Sequence, residues 1–104
     1  MLRIYPVMLE TLSRIRPSLG AIERKDPDLA RQLRRASSSF VLNTAEGMYS
    51  RGRNRGARYS TALGSARETL SCLEVARAAF GVPLDEAVRC DLDRIIGTLV
   101  KLTL

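Results

Sequence analysis

The sequence predicts an all-α protein that folds as an antiparallel up-down-up-down four-helix bundle. Apolar residues recur at steps of three and four through four segments, which is the spacing of one helical face. No segment has the two-residue alternation that is typical of a half-buried strand. Because the connections are short, an antiparallel bundle is the simplest packing. The length of 104 residues suits one domain, which we expect to cover residues 1–104.

The predicted helices have recognisable signals at their ends. We expect them at about residues 4–24, 27–50, 57–80 and 83–103. The first has an apolar stripe from Tyr5 to Ile22, and Pro17 should kink or break it. Asp26 can cap the second helix, since its carboxylate can accept from free N–H groups, and Pro27 suits the first helical position.

The third and fourth helices are separated by Gly81, a favoured residue at the end of a helix. Asp85 and Glu86 in the first turn of the fourth helix are favoured by the helix dipole. The final segment, IIGTLVKLTL, supplies apolar residues on more than one face. We expect this surface to be covered by the chain's own bundle or by another subunit.

Positive charge is concentrated in one part of the chain. The formal net charge is +6, and residues 31–67 hold eight arginines against one acid, Glu46. The segment SRGRNRGAR, residues 50–58, holds four arginines, no carboxylate and two glycines, and its residues 51–56 are predicted to be a loop. This asymmetry indicates a polyanionic partner or an acidic protein surface.

We predict that these arginines contact the backbone of RNA or DNA, because guanidinium groups bind phosphate oxygens in pairs and glycines allow close approach. The predicted contacts are Arg31, Arg34, Arg35, Arg51, Arg53, Arg55 and Arg58. No acid in the same turns is expected to compensate the first three. The dipole of the second helix suits Arg51 at its end, whereas the start of the third helix disfavours Arg58. Tyr49 and Tyr59 flank the segment and could stack on bases or pack at the bundle end.

Three alternatives to nucleic-acid binding stay open, two for the basic segment and one for the bundle core. The segment could be a solvated surface whose arginines pair with glutamates of other subunits. It could belong to an oligomeric scaffold that docks an acidic partner, such as a nucleic-acid enzyme. Thirdly, the chain could carry a small ligand in its bundle core.

The sequence argues against an enzyme. It contains no histidine, which excludes Ser-His and Cys-His nucleophile pairs and the Glu-x-x-His motif of di-iron bundles. Glu46 and Glu68 could form a carboxylate pair, but we interpret them as a buried hydrogen bond or ion pair that fixes helix register or a subunit contact. The same structural or interface role is assigned to Asn43, Gly47, Gly64 and Ser65. No cofactor is expected.

The cysteine content is typical of a reducing compartment. Cys72 and Cys90 lie on separate predicted helices without CxxC spacing, so we expect buried free thiols and no metal site. The N-terminal segment lacks the apolar run of a signal peptide, and no segment reaches the ~18 apolar residues of a membrane span. We therefore predict a cytoplasmic protein.

Two segments, QLRRASSSFVLNTAEG and YSTALGSARETLSCLEVA, resemble a known family. Its four-helix-bundle proteins were first described as encoded within intervening sequences of 23S ribosomal RNA genes, and the accessory variability determinant of diversity-generating retroelements also belongs to it. The most specific matches are Asn43 to Gly47, Ala62 to Ala66, and Glu68, whereas Thr44 replaces an aliphatic residue of the family's NIAEG motif. The resemblance implies a homopentameric ring and, for the retroelement member, binding to nucleic acid and to a reverse transcriptase.

Overall fold

The computed structural model describes residues 1–104 and contains four α-helices and no strand. The helices are α1 (Ile4–Lys25), α2 (Pro27–Met48), α3 (Gly52–Phe80) and α4 (Glu86–Leu102). They form an elongated body of 42 × 23 × 20 Å. The all-α prediction is confirmed, and the arrangement fits a four-helix bundle.

Sequential helices are antiparallel, because the connections cannot span a helix. α2 has 22 residues and is about 33 Å long, yet only residues 49–51 join it to α3. α1 and α3 each contact both α2 and α4, whereas α2 and α4 lie at opposite corners. The closest pair is α2 and α3, whose facing residues include several alanines and serines.

This topology gathers four helix termini at each end of the molecule. At one end the backbone N–H of Leu2 donates to Sδ of Met48 over 3.4 Å, which joins the start of α1 to the end of α2. The end of α4 lies at this end as well, but it stops short of the start of α3, because α4 has 17 residues and α3 has 29. We name this region, residues 1–9, 42–62 and 96–104, the basic end. The opposite region, residues 22–34 and 74–91, is the mixed end.

Two of the predicted helix boundaries are confirmed by their geometry. Oδ1 of Asp26 accepts the N–H groups of Asp28 at 3.0 Å and Leu29 at 3.1 Å, with Pro27 at the first helical position. Gly81 follows α3 with φ +69°, in the left-handed region that glycine adopts without steric cost. Both signals act locally, so they were readable from the sequence.

The start of α3 differs from the prediction, which placed residues 51–56 in a loop and began the helix at residue 57. Only Tyr49, Ser50 and Arg51 connect α2 to α3, and α3 begins at Gly52. Gly52 adopts φ +59° and makes the reversal, whereas Gly56 has helical conformation with no neighbour against the position of a Cβ atom. One left-handed residue is sufficient for the turn, and the arginines between the glycines are good helix formers.

Of the kink or break expected at Pro17, the break does not occur, because α1 runs without interruption from Ile4 to Lys25. Proline removes the donor for the carbonyl of Ser13, four residues earlier. Both Ser13 and Pro17 are exposed, so water can replace that donor and the helix continues.

The core extends along the full bundle and contains satisfied polar groups. Its largest completely buried side chains include Phe40, Met8 and Ile15. Thr44 and Thr69 are also completely buried, and each Oγ1 donates to the carbonyl four residues earlier, at 2.7 and 2.8 Å. No buried side-chain nitrogen or oxygen atom lacks a hydrogen-bond partner.

The apolar C-terminal segment packs mainly into the chain's own bundle. Ile95 and Leu99 are buried, and Ile96 and Leu102 pack against the core, while Leu104 is 98% exposed. Of the two coverings that the sequence left open, the first therefore applies to most of this surface. None of the four helices combines the length and the apolar composition that crossing a bilayer requires.

Candidate nucleic-acid interface

Three of the seven predicted contact arginines have carboxylate partners within the chain. Arg31 pairs with Asp28, and Nη2 of Arg34 lies 3.0 Å from Oε2 of Glu23 on α1. Nη1 of Arg58 lies 2.8 Å from Oε2 of Glu46 on α2. The expectation that no acid compensates Arg31 and Arg34 is therefore wrong. Asp28 lies one turn before Arg31 on α2. Glu23 lies on α1, and the sequence alone does not show that α1 places it beside Arg34.

The other four predicted contacts have no carboxylate at ion-pair distance. These are Arg35, Arg51, Arg53 and Arg55. All four are exposed, and the last three are at consecutive odd positions around the start of α3. The basic segment SRGRNRGAR therefore keeps most of its positive charge unneutralised.

The helix dipole disfavours this placement of charge. Arg51 is the N-cap residue of α3, and Arg53 and Arg55 follow in the first turn, where no acid is present and no side chain caps the free N–H groups. Each cation near a helix N-terminus costs roughly 0.3–1 kcal/mol at an exposed site. Arg51 was expected at the favourable end of α2, but its extended backbone, φ −129° and ψ 153°, makes it the N-cap of α3.

Two further cations lie at the same end, and the sequence analysis did not identify them. Arg3 precedes α1 and Lys101 lies in the last turn of α4, so both are at the basic end although they are distant in sequence. The basic end holds six cations: Arg3, Arg51, Arg53, Arg55, Arg58 and Lys101. It holds one acidic side chain, Glu46, which is paired with Arg58. Only the helix topology could have shown this grouping.

The junction between α2 and α3 is held by side-chain hydrogen bonds. Oγ of Ser50 donates to the carbonyl of Glu46 over 2.7 Å. Nε of Arg55 donates to the carbonyl of Ser50 over 2.9 Å. Nη1 of Arg58 also donates to Oδ1 of Asn43 over 3.3 Å. Asn43, Glu46 and Arg58 thus connect the two helices next to the exposed arginines.

Gly47 is required at this junction because the ring of Tyr59 lies against it. A Cβ atom on Gly47 would come within 2.4 Å of Cε1 of Tyr59. Tyr59 is 4% exposed, so the proposal that it stacks on a base is wrong for this conformation. Tyr49 is 87% exposed and stays available for stacking.

The other polar positions assigned a structural role differ in their contacts. Oγ of Ser65 on α3 lies 2.7 Å from Oγ of Ser39 on α2, which is a direct contact between the helices. Gly64 is exposed and nothing lies near the position of a Cβ atom, so the close packing expected there does not occur within the chain. Glu46 and Glu68 are both exposed, so the burial expected of them is wrong, although Glu46 does form an ion pair with Arg58 between the two helices.

A polar groove lies between α2 and α3, beside Glu68. It has a volume of about 250 Å³ and is lined by Gln32, Arg35, Ala36, Ser39, Ser65 and Glu68. The groove is open to solvent and lies in the middle of the bundle, away from the basic end. Arg35 is therefore separated from the other three predicted contacts that lack a carboxylate partner, which lie around the start of α3.

The two cysteines have different environments. Cys72 is buried, and this burial raises the pKa of its thiol, with a further increase from the negative charge of Glu68. Cys90 is exposed, so the expectation that both thiols are buried is wrong for it. No group of three or more His, Cys, Asp or Glu side chains has the arrangement to hold a metal ion.

No protein-family model, curated protein or solved structure matches the chain. The resemblance to the proteins encoded in 23S ribosomal RNA intervening sequences therefore stays a hypothesis based on the motifs around Asn43 and Ser65.

Proposed function

We propose that the chain is a non-enzymatic protein that binds the backbone of RNA or DNA through its basic end. The observation that supports this most is the group Arg51, Arg53 and Arg55, which is exposed, has no carboxylate partner and lies at the positive end of a helix dipole. Placing like charge there costs free energy in the isolated chain. A bound polyanion would offset that cost.

The arginines divide into direct contacts and supports. Arg51, Arg53 and Arg55 are the main phosphate contacts, and the free N–H groups at the start of α3 add donors beside them. Arg58 mainly holds α3 to α2 through Glu46 and Asn43. Arg31, Arg34 and Arg35 on α2 are secondary contacts, of which only Arg35 lacks a carboxylate partner.

Recognition of phosphate would not depend strongly on base sequence. Phosphate contacts fix position and orientation, whereas sequence is read from base edges. The basic end carries arginines, one lysine and Asn54 but no strand. We therefore assign it backbone binding without strong sequence preference.

We include in this proposal a cytoplasmic location and a homopentameric ring, the assembly that the family resemblance implies. Leu42 on α2 is 62% exposed and Leu9 on α1 is 46% exposed, and subunit contacts would cover such side chains. A ring would present five basic ends and multiply the phosphate contacts. Light scattering tests the assembly, because an 11.5 kDa species at micromolar concentration contradicts it.

A second candidate function is a scaffold that docks an acidic protein. It is favoured by Leu42, an exposed apolar side chain on the helix that also carries Arg31, Arg34 and Arg35. Protein interfaces combine apolar and charged contacts, whereas an exposed leucine makes no favourable contact with a phosphate backbone. Failure to bind any oligonucleotide at low salt would favour this candidate.

Two triple variants with the same change in charge test the main proposal. The first removes the three unpaired arginines around the start of α3: R51A/R53A/R55A. The second removes three exposed arginines without carboxylate partners from the middle of α1, α3 and α4: R16A/R67A/R94A. Fluorescence anisotropy with a labelled oligonucleotide across a salt series gives the affinity and its log–log salt slope for each.

We expect the first variant to reduce the magnitude of the slope by about 2, since each lost phosphate contact contributes roughly 0.7–0.9. The control variant should keep a slope close to that of the wild type. Equal losses in the two variants would mean that only net charge matters. An unchanged slope in the first variant would remove these arginines from the interface.

A further inference from the structure

Tyr49 is the one aromatic side chain of the chain that neither the core nor the junction uses. It is 87% exposed and does not belong to the side chains that pack against the core. Tyr59, on the other side of the basic segment, is buried against Gly47. The two tyrosines that flank the basic segment therefore differ in exposure, which the sequence does not show.

The backbone around Tyr49 is fixed although its side chain is exposed. Its N–H donates to the carbonyl of Glu46 over 3.2 Å, and the N–H of Ser50 donates to the carbonyl of Gly47 over 3.2 Å. Oγ of Ser50 adds a bond to Glu46, and Nε of Arg55 binds the carbonyl of Ser50. A ring on such a backbone loses little conformational entropy on binding, which favours affinity.

Donors to phosphate lie close to Tyr49 in the chain, on residues 50–58. Nε of Arg55 donates to the carbonyl of Ser50, the residue after Tyr49, and its terminal N–H groups have no carboxylate partner. An open hollow of about 310 Å³ begins at Ser50 and is lined by Asn54 and Arg58, among others. A base on the ring and its flanking phosphates could thus be contacted together.

We propose that Tyr49 stacks on an unpaired base and that the basic end therefore selects single-stranded over double-stranded nucleic acid. This inference rests on the proposed function, since the arginines must bring the strand to the ring. In a duplex, each internal base is already stacked on both faces and paired, so Tyr49 gains nothing there. In a single strand every base has a free face, and stacking needs no particular sequence.

The test measures the affinity of the wild type, Tyr49→Ala and Tyr49→Phe for three labelled probes of equal length: a dT 12-mer, an abasic 12-mer and a 12-base-pair duplex. Val75→Ala is the control, because it removes a 49% exposed apolar side chain at the mixed end. Each affinity is measured at several salt concentrations.

We expect Tyr49→Ala to bind the dT probe at least about fivefold more weakly, the lower limit for losing one stacked base. The shift should be the same at every salt concentration, since tyrosine carries no charge. Tyr49→Phe and Val75→Ala should bind as the wild type does. The abasic and duplex probes should bind the wild type more weakly than dT and respond little to Tyr49→Ala.

The outcomes separate this inference from the function on which it rests. Equal binding of the dT probe by the wild type and Tyr49→Ala overturns the stacking role and leaves backbone binding in place. A duplex bound as tightly as the single strand overturns the selectivity. If the wild type binds none of the probes at low salt, both the inference and the proposed function are wrong.

Discussion

The two ends of the bundle differ in whether the starts of their helices are capped by side chains. At the mixed end, Asp26 caps α2 and Asp85 caps α4, each accepting backbone N–H groups, and both first turns contain an acid. At the basic end, the residues at the N-cap positions of α1 and α3 are Arg3 and Arg51, and neither helix has a side-chain cap or an acid in its first turn. The same bundle therefore follows the usual capping rules at one end and departs from them at the other.

The charges of the two ends differ in the same way. The mixed end holds six cations and seven acids, and five ion pairs involve its residues. The basic end holds six cations and one acid. Residues that oppose local stability are expected where function demands them. This contrast is why we place the interface at the basic end and not on every arginine of the chain.

The largest effect comes from exchanging the capping chemistry of the two ends. Asp26→Ala should lower the free energy of unfolding by about 1 kcal/mol, because α2 loses the acceptor for two N–H groups. Arg51→Asp should raise it by a similar amount, since the extended backbone of residue 51 suits an acidic N-cap. Urea unfolding at a fixed protein concentration measures both changes.

The two substitutions should have opposite consequences for binding. Arg51→Asp should weaken oligonucleotide binding and reduce the magnitude of the salt slope by about 1 or more, whereas Asp26→Ala should leave both nearly unchanged. A variant that gains stability while losing affinity would show that Arg51 is kept for binding. If Arg51→Asp loses stability, the capping comparison is wrong.

A smaller effect is expected from two exposed ion pairs, one at each end. Glu46→Gln and Glu23→Gln each remove one negative charge and release one arginine, Arg58 or Arg34. Both pairs are more than half exposed, so each substitution should cost at most ~1 kcal/mol of stability. Glu46→Gln should nevertheless bind an oligonucleotide more tightly, because it removes the only acidic side chain of the basic end.

Glu23→Gln is the matched control for that substitution, with the same change in net charge at the mixed end. Its affinity should rise less than that of Glu46→Gln, because the arginine that it releases, Arg34, is only a secondary contact. Salt titrations of the two variants, followed by anisotropy, give the comparison. Equal gains in affinity would indicate that binding responds to total charge and would count against a localised interface.

Most of the fold followed from local patterns in the sequence. The apolar stripes predicted four helices, and Asp26 and Gly81 marked two boundaries correctly, because capping depends on residues within one turn. The start of α3 was missed because Gly52 and Gly56 look alike in the sequence. Only the first glycine has positive φ, and beyond it Arg53 and Arg55 are good helix formers, so the helix begins at once.

The candidate site was less predictable, since its properties depend on distant residues. The arginine-rich segment was visible, but the pairing of Arg34 with Glu23 joins two helices and requires their order. The contribution of Arg3 and Lys101 likewise requires knowing which termini meet. Tyr49 and Tyr59 could be distinguished only by burial, which the contact between Gly47 and Tyr59 determines.

The central claim is that nucleic acid binds at the start of α3, and amide hydrogen exchange with and without a single-stranded oligonucleotide tests it most directly. At low salt, we predict slower exchange at the amides of residues 51–55, which have no acceptor within the helix, and no change at residues 26–30 of the capped α2. Protection at residues 26–30 with none at residues 51–55, under conditions where binding is measured, would contradict the account.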